Sequence, residues 1–106
     1  MTSRIAVIDF ETTGSSPGQG ARATEVAIVI VERGAVVDSY QSLMNGGVWV
    51  PPFITQLTGI TNAMVSQAPP AEEVMAQASR FVGDTPLVAH NAPFDRGFWQ
   101  AELARA

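Results

Sequence analysis

The spacing of apolar residues predicts strands in the first half of the chain and mainly helices in the second half. An apolar run at Ile5–Phe10 is followed by a loop, Thr12–Ala23, that is rich in glycine, serine, threonine and proline. Runs dense in β-branched residues follow at Thr24–Glu32 and Ala35–Leu43, with a short turn between them. The three runs predict an antiparallel meander in which the first strand is innermost.

Helical signals begin after this meander. Pro52 suits the first turn of a short helix that Gly59 ends, and Thr61 suits the cap of a single further turn. A longer helix is predicted to begin after Pro70 and to end at Gly83. The apolar residues that recur at helical spacing in it, and indicate core packing, are Val74, Ala78, Phe81 and Val82.

The end of the chain combines a strand and a helix. Thr85–His90 is a short apolar strand, and Asn91 suits the cap of a helix that begins near Ala92. A strand followed directly by a helix is half of a parallel crossover unit. The predicted fold class is therefore α/β, with a mixed sheet of three antiparallel strands and then a parallel strand, flanked by helices.

Carboxylates mark the end of the first strand. Asp9 and Glu11 are one residue apart, so they leave the strand on the same face. Asp95, in the first turn of the last helix, joins them if the fourth strand lies beside the first. Three such acids suit a hard divalent cation, since all-oxygen ligands favour Mg²⁺, Mn²⁺ or Ca²⁺. The same spacing also fits a structural interpretation, in which Asp9 and Glu11 are solvated and Asp95 compensates the helix dipole. Spacing alone does not distinguish this interpretation from a metal site.

Composition narrows the class of protein. The chain has 106 residues, 46% of them hydrophobic and 15% charged, which fits at most one globular domain. It lacks cysteine, which excludes disulfides and thiolate metal sites, and it lacks lysine, which excludes a P-loop or Schiff-base lysine. A net charge of −4 provides no basic surface for nucleic acid, so bound metal would supply much of the attraction for a polyanion. No apolar stretch is long enough for a membrane span, and a cytoplasmic location is expected.

Three motifs in order carry a family resemblance. They are D-F-E-T-T-G at Asp9–Gly14, L-T-G-I-T at Leu57–Thr61 and A-H-N-A-P-F-D at Ala89–Asp95. In these motifs the chain resembles the DnaQ-like branch of the DEDD 3'-5' exonucleases, and in particular the epsilon-type proofreading subunits of bacterial DNA polymerase III. The resemblance implies a ribonuclease H-like sheet and removal of nucleoside 5'-monophosphates from the 3' ends of DNA.

The resemblance also implies a two-metal site for Mg²⁺ or Mn²⁺. Asp9 would bridge both ions, Glu11 would hold one and Asp95 the other, and these three are the expected catalytic residues. Further positions match those that contact the substrate in the family. These expected substrate-binding residues are Thr12 beside the 3'-hydroxyl, Leu57 and Ile60 as wedges against the terminal base, and Asn91 and Phe94 in the second motif.

The implied partners follow from this activity. A single-stranded or frayed 3' end is the expected ligand, with DNA favoured over RNA, and a DNA polymerase subunit is a further expected partner. RNA-directed exoribonucleases share the same family pattern, so an RNA substrate is an alternative. A non-catalytic nuclease-like binding or scaffold module is the alternative from another class. Phosphatases of the haloacid dehalogenase type are disfavoured, because they need a downstream lysine that the chain lacks.

The family has three motifs that carry its carboxylates. D-F-E-T-T-G matches the first and A-H-N-A-P-F-D matches the second, but the third is missing. It carries a histidine or tyrosine base ahead of a fourth carboxylate, but no histidine or tyrosine follows Asp95, and the only later acid is Glu102. His90 belongs to the second motif and is interpreted as structural. Residues 1–106 are therefore expected to be the N-terminal portion of one exonuclease domain, incomplete and with little or no activity alone.

Overall fold

A four-stranded mixed sheet organises the fold in the computed structural model, which describes residues 3–106. The strands are β1 (Arg4–Thr12), β2 (Ala23–Glu32), β3 (Ala35–Leu43) and β4 (Leu87–Val88). Their order across the sheet is β3-β2-β1-β4. β1 pairs antiparallel with β2 and parallel with β4, and β2 pairs antiparallel with β3. The predicted mixed sheet is thus confirmed, and β1 lies in its interior.

Four helices and one short 3₁₀ turn flank or connect the strands. The 3₁₀ turn is Pro17–Gln19, and the helices are α1 (Pro52–Thr58), α2 (Asn62–Ser66), α3 (Ala71–Val82) and α4 (Ala92–Arg105). Within residues 3–106, none of the helices combines the length and apolar character needed to cross a bilayer.

The predicted helix ends are correct with one exception. Gly59 ends α1 with a φ of 79°, in the left-handed region that glycine adopts most easily. Thr61 caps α2, where its hydroxyl accepts a hydrogen bond from the Met64 N–H at 3.1 Å. Asn91 precedes α4 as predicted, but its side chain makes no capping hydrogen bond. Pro93, the second residue of α4, has no N–H, which leaves the Phe94 N–H as the remaining donor for such a cap.

One face of the sheet forms the main core. In β1 the even-numbered residues from Ala6 to Thr12 are buried, and α3 and α4 pack over this face. Phe98 of α4 is fully buried and its ring lies 6.4 Å from that of Phe10. The buried apolar residues that β2 and α3 add to this core are Ala23, Val26, Ile28, Ile30, Ala71, Val74, Met75, Ala78 and Val82. The odd-numbered residues of β1 lie on the opposite, more open face.

The fourth strand is shorter than predicted. The sequence favours a strand over Thr85–His90, whereas only Leu87 and Val88 pair with β1. The Ala6 N–H donates to the Pro86 carbonyl at 2.8 Å, but Pro86 itself has no N–H with which to continue the ladder. After Val88 the chain turns into α4. The two-residue strand nevertheless places the start of α4 beside the end of β1.

Candidate active site

The carboxylates of β1 lie at its C-terminal end, on the open face of the sheet. Strand alternation buries Ile8, Phe10 and Thr12 in the core and turns Asp9 and Glu11 the other way. Asp9 is exposed and Glu11 is half-buried. The two acids therefore share a face, as their spacing predicts.

Asp95 connects α4 to the same strand end. It is buried in the first turn of α4, and its Oδ1 accepts a hydrogen bond from the Phe10 N–H at 3.1 Å. Phe10 stands between Asp9 and Glu11 in the sequence. The carboxylate of Asp95 is thus fixed to the segment of backbone that carries the other two acids.

Burial and neighbouring charges shift the pKa values of two of the three carboxylates, Glu11 and Asp95. Burial raises the pKa of Glu11, and the charges of Asp9, Glu25 and Asp95 raise that pKa further. Burial also raises the pKa of Asp95, and the charge of Asp9 acts in the same direction. The hydrogen bond from the Phe10 N–H opposes that shift, because it favours the ionised carboxylate. Negative charge at this strand end is therefore only partly compensated, which is the electrostatic condition that a bound cation relieves.

The acids do not form a closed metal site. Across residues 3–106, no three His, Cys, Asp or Glu side chains are grouped so as to hold a metal ion. Asp9, Glu11 and Asp95 therefore lie near one another, as predicted, but farther apart than the ligands of one metal ion. One oxygen of Asp95 accepts a backbone hydrogen bond from Phe10. Their all-oxygen donor set fits Mg²⁺ or Mn²⁺ in its chemistry.

A groove of about 450 Å³ adjoins Glu11. Thr12 lines it, although its side chain is buried and its hydroxyl donates to the Gly14 carbonyl at 2.6 Å. Leu57 of α1 lines the groove with 79% of its surface exposed. Phe94 of α4 also lines it, and its ring centroid lies 4.9 Å from that of Phe98, with the two rings tilted by 50°. The groove thus brings together residues from D-F-E-T-T-G, L-T-G-I-T and A-H-N-A-P-F-D.

Two of the residues expected to bind substrate lie elsewhere. Ile60 is buried in a small separate core with Val50, Ile54 and Val65, so its side chain packs the α1–α2 segment and is not presented as a wedge. Asn91 is exposed at the start of α4. His90, interpreted as structural, is exposed as well, and its charge lowers the pKa of Asp95.

A buried ion pair between Arg22 and Glu102 holds the far end of α4. Arg22 donates to both carboxylate oxygens of Glu102, at 3.0 and 2.9 Å, and the Ala23 N–H donates to Glu102 at 3.0 Å. Arg22 also donates to the Gly46 carbonyl at 2.7 Å. The side chains of Arg22 and Glu102 are only 13% and 2% exposed. Asp95 and Glu102 therefore anchor α4 to the backbone of β1 and β2.

Sequence reasoning identified no role for Glu102. The available signal was its spacing: Glu102 follows Asp95 by seven residues, or two helical turns, so both face the sheet. An acid on the buried face of a helix needs a buried partner. The sequence alone does not identify Arg22 as that partner, because Arg22 lies 80 residues earlier. The register shift between Glu11 and Thr12, which lies next to the Ala23 N–H that donates to Glu102, was also not predicted.

The sheet order and the carboxylate-bearing strand define a ribonuclease H-like nuclease fold. The structure is similar to that of Exonuclease X in complex with 5' overhanging duplex DNA, with a TM-score of 0.75 and 32% sequence identity. The match covers 89% of this chain and 52% of Exonuclease X. The similarity therefore extends over about half of that nuclease.

Sequence comparisons define the family. The RNase_T exonuclease family model matches residues 6–106, and the chain belongs to this exonuclease family, of the DEDD type. It is 40% identical over 103 residues to the 3'-5' exonuclease DinG of Bacillus subtilis, a match that covers 97% of this chain and 11% of DinG. It is 41% identical over 97 residues to a PolC-type DNA polymerase III of Clostridium perfringens, covering 92% of this chain and 7% of the polymerase. The chain thus spans about a tenth or less of these relatives.

Proposed function

We propose that residues 1–106 form the N-terminal portion of a 3'-5' exonuclease domain that removes nucleoside 5'-monophosphates from single-stranded or frayed 3' ends. DNA is the favoured substrate. Asp9, Glu11 and Asp95 would hold two Mg²⁺ or Mn²⁺ ions in this proposal. Association with a DNA polymerase is part of the same proposal.

The observation that carries the proposal is the link between the two motifs that bear the acids. Asp95 accepts a hydrogen bond from the residue between Asp9 and Glu11, and burial together with these charges raises the pKa of Glu11. A partly desolvated acid cluster beside an open groove is typical of a catalytic site. The 3'-5' polarity is supported by the name of the DinG relative, the DNA preference by the Exonuclease X complex and the polymerase partner by the PolC-type relative.

The residues around the acids have distinct tasks in this proposal. Leu57 and Phe94 bound the terminal nucleoside in the groove, with Leu57 separating its base from the next. The Thr12 hydroxyl donates to the Gly14 carbonyl and so holds the loop after β1 in place. In the proposal, this loop forms the side of the groove that faces the 3'-hydroxyl. Divalent ions held by these acids would supply a water of lowered pKa and positive charge near the scissile phosphate. Asp95 holds the start of α4 against β1 through the Phe10 N–H.

Calorimetric titration with Mn²⁺ tests the metal assignment on this chain. Wild-type protein is expected to bind Mn²⁺, and Asp9→Ala is expected to abolish that binding because one of the three proposed ligands is lost. Asp84→Ala is the matched control, since Asp84 is an exposed acid outside the site and its loss should leave the binding unchanged. Absence of Mn²⁺ binding in the wild type would contradict the expectation that this chain alone binds the metal, and would favour a non-catalytic nuclease-like module or a fragment too incomplete to assemble its site.

Nuclease assays test the activity. The 106-residue chain should degrade single-stranded DNA from its 3' end with Mg²⁺ far more slowly than a complete domain, because no histidine or tyrosine follows Asp95 to act as the base. In a longer protein that contains this chain, Asp9→Ala should abolish cleavage of 3'-labelled DNA. Cleavage by the 106-residue chain at the rate of a complete domain would contradict the first expectation, and normal cleavage by the Asp9→Ala protein would contradict the second. Faster cleavage of RNA than of DNA of the same sequence would reassign the substrate.

A further inference from the structure

A second groove, of about 290 Å³, lies beside the one that contains Glu11 and Leu57, and Trp49 lines it. Its opposite wall is the loop after β1, which supplies hydroxyl and amide side chains. Gly14 and Ser15 line both grooves, so the grooves meet at this loop. A ligand that occupies the first groove can therefore extend into the second.

Trp49 is presented to solvent from an ordered backbone. The Gly47 N–H donates to Asn45 Oδ1 at 2.8 Å on one side of it. On the other side the amide of Asn62 pairs with both the N–H and the carbonyl of Val50, at 2.7 and 2.9 Å. Val50 is fully buried, whereas Trp49 is 66% exposed. The indole is thus held outside the core by a segment that is itself fixed, which reduces the conformational entropy lost when a ligand binds.

Trp49, Phe53 and Leu57 are the most exposed of the large apolar side chains that line the joined grooves. Phe53 is 65% exposed and Leu57 is 79% exposed, and their spacing of four residues places them on one face of α1. A single exposed apolar residue needs no explanation, but three along one continuous depression indicate a binding surface. Trp49 and Phe53 present flat rings, on which other planar groups stack well.

The charge of the grooves narrows the class of ligand. Among the described residues, Glu11 is the only charged side chain that lines either groove. No arginine in the described part of the chain lines the two grooves to neutralise phosphates. The hydroxyl and amide side chains of the loop after β1 can form only hydrogen bonds with phosphates and sugars. Stacking of bases is the interaction that this surface supports best, and it tolerates any base because every base has a π-face.

We propose that the Trp49 groove binds the nucleotide next to the 3'-terminal one, with its base stacked on the indole of Trp49. The inference rests on the proposed function, because it takes the terminal nucleotide to lie beside Glu11. In this arrangement Ser15, which lines both grooves, faces the phosphate between the two nucleotides. The Trp49 groove thus sets how long a substrate must be to bind well, without selecting its sequence.

Binding measurements on the 106-residue chain with Mn²⁺ test the inference. The ligands are thymidine 5'-monophosphate, measured by calorimetry, and fluorescein-labelled oligothymidylates of increasing length with a phosphorothioate 3' linkage to prevent cleavage, measured by anisotropy. Trp49→Ala should weaken oligonucleotide binding by about 5- to 150-fold, the range that stacking of one base supports, and should leave mononucleotide binding unchanged. Trp49→Phe should retain most of the affinity.

Intrinsic fluorescence supplies a second readout. In a Trp99→Phe background the remaining tryptophan is Trp49, so its emission should be quenched by oligonucleotides and not by the mononucleotide. Thermal unfolding of Trp49→Ala at the wild-type midpoint would show that the variant folds normally.

The outcomes separate the two proposals. The Trp49 assignment would be overturned if Trp49→Ala bound oligonucleotides as tightly as the wild type. It would also be overturned if Trp49→Ala weakened mononucleotide binding as much as oligonucleotide binding. Either result would leave the proposed function standing. Failure of the wild-type chain to bind either ligand would overturn both.

Discussion

Removal of Glu102 tests how α4 is attached to the sheet. In Glu102→Ala the guanidinium of Arg22, 13% exposed, loses its bidentate partner, and the Ala23 N–H loses its acceptor. Breaking a buried ion pair from one side costs about 3–5 kcal/mol. A domain of this size has a free energy of unfolding of about 5–15 kcal/mol, so the substitution should remove a large part of it.

Thermal and urea unfolding measure the effect. With at least about 4 °C lost per kcal/mol, the melting midpoint of Glu102→Ala should fall by about 12 °C or more. Arg22→Met should be similarly damaging, since it leaves the Glu102 carboxylate buried without its cation. The double variant Arg22→Met/Glu102→Leu should be destabilised by much less than the sum of its single variants, because it leaves neither charge unpaired.

A second ion pair serves as the control. Arg4 and Glu32 lie 3.4 Å apart with side chains 44% and 41% exposed, and water screens such pairs. Their double-mutant cycle should give a coupling energy below about 1 kcal/mol. If the Arg22–Glu102 cycle is additive within about 0.5 kcal/mol, the ion pair does not anchor α4 and the reasoning is refuted.

Further predictions concern Glu11 and two glycines. Folding raises the pKa of Glu11, so ionisation of Glu11 opposes folding. Glu11→Gln should therefore raise the melting midpoint at pH 7. The gain should vanish below about pH 4, where Glu11 is protonated in both the folded and the unfolded protein. A gain independent of pH would contradict this. Gly59→Ala should lower the free energy of unfolding by about 1–2 kcal/mol because of the positive φ at Gly59. Gly97→Ala, inside α4 with open space around the added methyl, should raise it by about 1 kcal/mol, and urea unfolding of both variants checks the contrast.

Local patterns were sufficient to predict most of the fold. β-branched runs and short turns identified β1, β2 and β3, and alternation along β1 placed Asp9 and Glu11 on one face, because these features depend on neighbours in sequence. The position of Asp95 followed from the strand-then-helix order, since a parallel fourth strand brings the start of α4 to the end of β1.

Features that depend on distant partners could not be predicted. The Arg22–Glu102 pair joins residues 80 apart in the sequence. The register shift at Thr12 belongs to the pairing of β1 with β2, which a loop separates along the chain. Ile60 belongs to a motif that suggests substrate contact, but its side chain packs against Val50 and Ile54, which single positions do not reveal. Asn91 makes no capping hydrogen bond, and Pro93 removes one of the two N–H groups that could donate it, a loss that is visible in the sequence.

The sparse charge of the two joined grooves has a consequence for how nucleic acid would be released from them. Proteins that neutralise phosphates with lysine or arginine displace condensed counterions, so their affinity falls steeply as salt rises. Along the described residues of these grooves, Glu11 is the only charged group and no cation contributes to the lining. With Mg²⁺ held at saturation, oligonucleotide affinity should therefore change little between about 50 and 200 mM salt. High salt would then be a poor eluent for this complex, whereas chelation of the metal would be an effective one.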